Sequence, residues 1–527
     1  MEGDTPQYAE AVAVKGGRIA LVGSKEQADQ LRGNATTLID LQGDTLLPGF
    51  IDAHSHVSNV GFFASIANLL PAPDGEVNDI AALQRQLKDW SATDLARQKG
   101  WIIGMGYDES QLREGRHPNR HDLDAVSKDV PVLAIHISGH LAAVNSAALT
   151  LLKLTRDSPD PPGGRIHREA DGSPSGLLEE TAFHLVASRL PAFDPVEQLV
   201  KGQEAYAAFG FTTVQEGRAV PATLQALAAA AEAGRLYLDI NSYPDAIFNP
   251  PEVMHSKYRT PDYTDHYRIG GIKLSLDGSP SAKTAWLTEP YFEPPPGAPA
   301  DYRGYGQIEQ KVFDEKLDWA FAHGHQVLVH ANGDAAIDFF IDGIRRAAQK
   351  QGPGDRRPVA IHAQTARADQ LDAMKELGIL PSFFTMHTFY FGDYHRDHSL
   401  GPQRAANISP EGWALARGMR FTSHHDAPVV FPNSIRVIAS QVTRRTRSGQ
   451  VLGPDQRVPP YVALQALTLW GAYQYFQEDD RGSLKEGKIA DFVILDRDPL
   501  NTPPDQLMAI RVLKTIKEGR TVYRQRP

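Results

Sequence analysis

Thr45-Leu46-Leu47-Pro48-Gly49-Phe50-Ile51-Asp52 leads straight into Ala53-His54-Ser55-His56. The apolar run reads as a buried strand, and the histidine pair sits at its C-terminal end. On extended backbone, residues two apart point to the same side, so both imidazoles can reach one ion. A His-x-His on its own is as much at home on a surface. Its place at the end of a buried strand gives it chemical meaning.

Seven more short β-rich runs follow: Thr212–Gln215, Leu236–Ser242, Ile272–Leu276, Gln326–Val329, Val359–Ile361, Ile379–Phe383 and Arg420–Ser423. Most precede Ala/Leu/Glu-rich helical stretches, the pattern of βα units in a parallel sheet. Eight such units predict an α/β fold, a closed (β/α)₈ barrel over residues 48–57 and 206–481. In such barrels the reactive groups gather beyond the C-terminal ends of the strands. Residues 58–205 separate the first two strands and are too long for a simple connection. They mix helical stretches with a strand-like run, Val130–Ile137, and are expected to form an inserted domain covering the barrel mouth. Both chain ends are β-rich. Ala11–Gly23 reads as a hairpin, Thr37–Asp40 as a strand, and Ala490–Leu495 and Val512–Tyr523 as further strands. Residues 1–47 and 482–527 are therefore expected to pair into one small β-sandwich.

Composition sets the outer limits. The 527 residues are 41% hydrophobic and 22% charged, an ordinary globular balance. A formal charge of -10, with 64 acidic against 54 basic residues, argues against a nucleic-acid partner. With no cysteine, any metal must be held by histidine and oxygen ligands. No uninterrupted apolar stretch is long enough to cross a membrane, and the opening residues carry no signal-peptide core. A cytoplasmic protein is the expectation.

Nineteen histidines must be sorted by position. His330 ends the run Gln326–Val329, His362 ends Val359–Ile361, and Asp426 follows Arg420–Ser423. With His54 and His56 they make five potential ligands at four strand ends, which is hard to obtain by accident. His323-Gly324-His325 is the control, because it precedes its strand. About five residues at roughly 3.3 Å each put it some 15 Å away, so it reads as structural or solvated.

Lys273 lies inside the run Ile272–Leu276, where an unpaired ammonium would be expensive. An ion pair with Asp277 or Glu216 is one explanation. Conversion by CO₂ to a carbamate, an anionic oxygen ligand able to bridge two metals, is the other. Glu180, beside Glu179 in the long segment, is a competing acidic ligand.

Leu47-Pro48-Gly49-Phe50-Ile51-Asp52-Ala53-His54-Ser55-His56 resembles the first-strand signature of the amidohydrolase superfamily. His330, His362 and Asp426 fall in the order of its fifth, sixth and eighth strands, and Lys273 matches the fourth-strand lysine. Gly482-Ser483-Leu484-Lys485-Glu486-Gly487-Lys488-Ile489-Ala490-Asp491 resembles the return into that family's sandwich. Ser138-Gly139-His140 with Asn145-Ser146, Ser175-Gly176-Leu177-Leu178-Glu179-Glu180, Asp277-Gly278-Ser279 and His330-Ala331-Asn332-Gly333-Asp334 resemble the amidohydrolase-3, or YtcJ-like, branch that includes N-substituted formamide deformylases. Two departures stand out. Met1 begins where relatives are already inside their first hairpin, and Ser423-His424-His425-Asp426 holds two histidines where many relatives have a small residue.

The resemblance implies a metal-dependent hydrolase that cleaves a C–N bond (amide, formamide or related) by attack of metal-bound hydroxide. His54, His56 and Asp426 would hold one ion, His330 and His362 the other, and carboxylated Lys273 would bridge them. The metal would be Zn²⁺, one or two per chain, with Fe²⁺, Mn²⁺ or Ni²⁺ also compatible with the ligand types. Asp426 would act as general base and then acid, and His140 would help polarise the carbonyl. The aromatic segment Phe383–Tyr394, with His387 and Phe391, would line an apolar substrate pocket or simply pack the core. His424 or His425 would touch substrate, with His425 the candidate contact, or one of the two would position another ligand. The rival readings are a C–O hydrolase, isomerase or decarboxylase on the same barrel, and a non-catalytic binding protein. The partner is a small-molecule substrate, and a homodimer is compatible with the family.

Overall fold

A computed structural model describes residues 1–109, 111–137, 141–295 and 297–525. The chain divides into two compact units, Met1–Val57 with Gln203–Pro527, and Ser58–Gly202.

The first unit is built on parallel strands taken in chain order. One sheet holds Phe50–Ile51, Phe211–Ala219, Asp239–Pro244 and Tyr267–Ile269. The other holds Gly271–Ser275, Gln326–Ala331, Val359–His362, Leu380–Phe383 and Thr422–Ser423. Tyr267–Ile269 and Gly271–Ser275 are successive halves of one strand interrupted at Gly270. The first half pairs with Asp239–Pro244, and the second pairs with Gln326–Ala331. At the break, a Cβ on Gly270 would sit 2.5 Å from Asn241 Oδ1, so no larger residue fits. A parallel bridge between Asp245 and Lys273 ties the two sheets together beyond it. At the opposite edges, His56 N donates to Ala427 O at 2.9 Å, just past the first and last strands.

These strands are legible as apolar runs because both faces are covered. Every residue of Val359–His362 and Leu380–Phe383 is buried. Helix Asp334–Gln351 covers its neighbours with a stripe made of Ala336, Ile337, Phe340, Ile341, Ile344 and Ala347, the spacing of one helical face.

Both chain ends are sheet. Ala11–Lys15 and Arg18–Gly23 form an antiparallel hairpin. Thr45–Pro48, Phe492–Leu495, Val512–Lys517 and Arg520–Arg524 form a four-stranded antiparallel sheet. The opening segment thus serves two sheets. Thr45–Pro48 pairs outward with Phe492–Leu495, and two residues later Phe50–Ile51 pairs with Phe211–Thr213. Gly49 makes the crossing, where a Cβ would lie 2.4 Å from Thr212 Oγ1. Thr37–Asp40 is not a strand: Leu38 and Ile39 are 65% and 51% exposed, so its hydrophobic pair has no face to cover. Beneath the outer sheet, Asp239 binds Arg481 Nη1 at 2.6 Å and Lys517 Nζ at 2.7 Å, and Asp491 closes the buried group at 2.9 Å from Lys517.

The second unit carries a mixed six-stranded sheet ordered Ala67–Asn68, Ile102–Tyr107, Val132–His136, Leu141–Val144, Pro174–Glu180 and Gly164–Arg168. Alternate residues feed two separate cores. Ile103, Leu133, Ile135 and Val144 enter one, and Ile102, Val132, Ala134 and Ala143 the other. Both faces of this sheet are therefore covered. Among the described residues, no helix is long and apolar enough to cross a membrane.

Candidate metal centre

The C-terminal ends of the parallel strands bring the sequence-selected groups together. His54 and His56 follow the first strand, and Asp426 follows the last. His54 Nε2 and His56 Nε2 lie 3.5 and 3.4 Å from the same Asp426 Oδ1. Donor atoms of these three residues all fall within 4.8 Å of one another. Lys273 Nζ approaches His54 Nε2 to 3.3 Å. His362 Nε2 is 3.0 Å from His330 Nδ1 and 3.9 Å from Asp426 Oδ2. All six groups named from the sequence thus belong to one cluster.

The surrounding hydrogen bonds fix which nitrogens face inward. His54 Nδ1 lies 2.6 Å from Gln215 Oε1, a carbonyl that can only accept, so Nδ1 carries the proton and Nε2 presents its lone pair. His330 Nε2 points at Gly278 O at 3.1 Å, which likewise leaves Nδ1 bare. His362 Nδ1 is 3.1 Å from His424 Nε2, and His424 Nδ1 is 2.9 Å from Ser382 Oγ. With that relay donating outward to Ser382, the lone pairs of His330 Nδ1 and His362 Nε2 converge. Asp426 Oδ1 is buried and accepts no hydrogen bond. A buried, unsatisfied carboxylate oxygen beside the His54 lone pair, with those of His330 and His362 close by, is a donor set suited to a cation.

Electrostatics agree. Burial, then the neighbouring Lys273, holds the His54 imidazole well below its ordinary range. Burial and then His330 do the same for His362. Burial brings His330 down to about 4. Neutral imidazole is the ligating form. His56 goes the other way: burial opposes its charge, but Asp426 and Glu216 (3.6 Å from Nδ1) outweigh that and push it up to about 9. An imidazolium there supplies the positive charge that two buried carboxylates demand. Burial lowers the Lys273 amine to about 7. Backbone strain also collects here. Asp426 and His362 hold φ of 51° and 75°, left-handed values that cost on the order of 1–3 kcal/mol in non-glycine residues.

Lys273 pairs with neither Asp277 nor Glu216. Asp277 instead accepts backbone N–H groups from Asn332 (3.0 Å), Gly333 (2.8 Å) and Trp286 (2.9 Å), shaping the loop under His330. His425 faces the core, with Nδ1 accepting from Ala427 N at 3.0 Å, Nε2 3.4 Å from Asp52 Oδ1, and its ring against Tyr206 and Phe211. It positions the turn and its ring contacts none of the ligand rings. Glu180 ends strand Pro174–Glu180 in the second unit, at φ 49°. His140 lies outside the described residues. His387 is buried, 2.9 Å from His395 Nε2 and packed on Phe384 and Phe391, and Phe384 in turn packs on His362 and His424. The His323–His325 pair caps helix Gln310–Ala322, with His323 Nδ1 2.8 Å from Trp319 O.

Sequence reasoning passed over Gln215 and named Glu216 only as a partner for Lys273. The sequence run Thr212–Gln215 ends at Gln215, so the strand-end rule that selected the histidines would have found both, although the strand in the structure continues to Ala219.

A parallel α/β core with a histidine and carboxylate cluster at its strand ends defines a class, and the chain belongs to it: residues 37–523 match the model of the amidohydrolase family, Amidohydro_3. Among its relatives, a Bacillus subtilis (strain 168) protein, YtcJ, described as an amidohydrolase, is 28% identical and covers 99% of this chain and 97% of its own. The N-substituted formamide deformylase of Arthrobacter pascens is 27% identical, covering 97% and 94%. The crystal structure of an uncharacterized metal-dependent hydrolase from Pyrococcus horikoshii OT3 shares the fold, with a TM-score of 0.72 at 24% identity over 94% and 95%. That of Pyrococcus furiosus gives 0.70 at 25% identity over 93% and 95%.

Proposed function

We propose that this protein is a metal-dependent hydrolase of a C–N bond in an amide, formamide or related small molecule. The observation that carries the reading is the convergence of His54, His56 and Asp426 on one point, with Lys273 against His54, His362 beside Asp426 and His330 against His362. We read the eight strands as a closed (β/α)₈ barrel over residues 48–57 and 206–481. Residues 1–47 and 482–527 form a sandwich, and 58–205 an inserted domain. The relatives' printed activities, formamide deformylation and metal-dependent hydrolysis, support the same chemistry.

His54, His56 and Asp426 would hold one ion and His330 and His362 a second, with Lys273 between them. Zn²⁺ suits the donor set. Bound there, the metal supplies a Lewis acid and a water acidified from 15.7 toward about 7. The chain's own groups do the rest. The Lys273 amine, lowered to about 7 by burial, is substantially unprotonated at neutral pH, the form that adds CO₂ to give a carbamate. Gln215 orients His54, and the His424–Ser382 relay orients His362. Asp426, buried and short of hydrogen bonds, takes the proton of the attacking water and returns it to the departing nitrogen.

Two measurements test this. Elemental analysis of chain purified without chelator, in bicarbonate, should find between one and two equivalents of transition metal. Asp426→Asn should fold and lower kcat for N-acyl amines by at least about 10²-fold. Absence of metal after reconstitution, or undiminished turnover in Asp426→Asn, would reject the reading.

A further inference from the structure

Arg218 is an exposed cation built into the strand that carries the ligand shell. The second parallel strand passes the centre residue by residue. Glu216 reaches His56, and Gly217 lies against His54 so closely that a Cβ there would meet the ring at 2.4 Å. Gly217 N also donates to Ser55 O at 2.8 Å. Arg218 follows two residues beyond Glu216, past an irregularity in the pairing with Asp239–Pro244.

Its guanidinium is held in place but not used up. Nε donates to Asp245 Oδ2 at 2.8 Å, and the Arg218 side chain is 47% exposed against 3% for Asp245. Asp245 is fixed in turn: Oδ1 accepts from Ile247 N at 2.8 Å, and its backbone bridges to Lys273. The guanidinium also packs over Phe248, with 5.7 Å from Cζ to the ring centroid. The terminal nitrogens bond nothing else among the described residues, and Ile247 and Phe248 beside them are 49% and 56% exposed. Arg218 thus keeps one edge of its fork open, next to exposed apolar surface, on the strand whose Glu216 reaches His56 and beside Asp245, whose backbone bridges to Lys273.

We propose that Arg218 is a specificity-determining residue that pairs with a carboxylate on the substrate. The substrate class is then an amide whose amine portion carries an anionic group several bonds from the scissile carbon, with Phe248 and Ile247 against its apolar part. An open guanidinium edge matches a carboxylate bidentately, and its orientation by Asp245 and Phe248 lowers the entropy cost of binding. This inference rests on C–N hydrolysis at the centre, and the test separates the two.

Metal-loaded wild type and Arg218→Met are compared on matched pairs of N-formyl and N-acetyl amines, such as N-acetylphenylalanine and N-acetylphenethylamine, which differ only in the carboxylate. Wild type should favour the carboxylate member by about 10–100-fold in kcat/KM, and Arg218→Met should erase at least about tenfold of that ratio. Arg218→Lys should recover part of it, because charge returns without the fork. In wild type alone the ratio should shrink as salt rises, which keeps the test open if a variant misfolds. A ratio near one in wild type, or one that neither Arg218→Met nor salt changes, overturns the carboxylate assignment. Failure to cleave either member of any pair overturns the hydrolase reading instead.

Discussion

Replacing Gln215 with leucine should loosen the metal without dismantling the fold. Gln215 is fully buried. Its Nε2 donates to Ala53 O and Tyr475 OH, both at 2.8 Å, and its Oε1 accepts from His54 Nδ1 at 2.6 Å. Two of those three partners have a second bond. Ala53 O keeps the Gln474 amide at 2.7 Å, and Tyr475 OH keeps Asp52 O at 2.6 Å. Only the His54 Nδ1–H is orphaned, so the cost to stability is one unsatisfied buried donor, about 1–3 kcal/mol. The larger effect falls on the ligand. Without the carbonyl, nothing selects the tautomer that leaves Nε2 free, and loss of such an orienting partner lowers metal affinity by about 10–100-fold. Competition against a chromophoric chelator reads that affinity, and thermal melting of the metal-free chain reads the fold. Gln215→Glu, which keeps the acceptor, should stay much nearer wild type in affinity. If Gln215→Leu binds metal within about threefold of wild type while folding normally, the orienting role is wrong.

Lys273→Met removes a buried amine for an apolar group of similar length. It should lower metal stoichiometry while leaving the metal-free chain as stable or more so, because a costly buried polar amine is gone; both are read by elemental analysis and melting. Gly49→Val drives side-chain atoms into Thr212 at the crossing between sheets and should destabilise by roughly 1–3 kcal/mol in urea unfolding. Glu411 gives a pH signature. Burial raises its carboxyl from 4.5 to about 7 against the pull of Thr385 and Arg444, so the folded chain holds this proton more tightly than the unfolded one. Its contribution is therefore full below about pH 4.5 and fades as pH rises through about 7. Glu411→Gln, neutral throughout, should gain stability relative to wild type above pH 7 and show a flatter profile between those limits; equal slopes would refute the assignment.

Much of this molecule could be read from its letters, for a physical reason. Strands covered on both faces must be apolar along their length, so Val359–His362 and Leu380–Phe383 announce themselves. Their C-terminal ends are where polar side chains break the run, which is why His330, His362 and Asp426 were found. Thr37–Asp40 misled because Leu38-Ile39 looks like half a strand, and sequence cannot say whether a neighbour exists to pair with it. An ion pair of Lys273 with Asp277 is one reading of the sequence, but that carboxylate is spent on three backbone amides, Trp286 from its own loop and Asn332 and Gly333 from a loop more than 50 residues away. His424 and His425 are adjacent yet do different work, one in the relay to His362 and one against Asp52. Their division depends on the left-handed turn at Asp426, which no pattern of residue types encodes. Gln215 was passed over because an amide is not a ligand type, and its importance lies in what it does to a neighbour.

The crossing at Gly49 has a consequence for how the protein comes into being. The segment that delivers His54 and His56 is anchored through Thr45–Pro48 to Phe492–Leu495, with Leu47 opposite Val493. During synthesis His54 and His56 leave the ribosome long before the strand Phe492–Leu495 that fixes their approach. Thr45–Pro48 must therefore stay unpaired with it until that strand is made, and loop closure across that span is a slow event. A nascent or C-terminally shortened chain would own every ligand and still lack a finished centre. Metal capture thus becomes a report on completion of the chain, and the exposed early strand marks the interval in which folding helpers matter most.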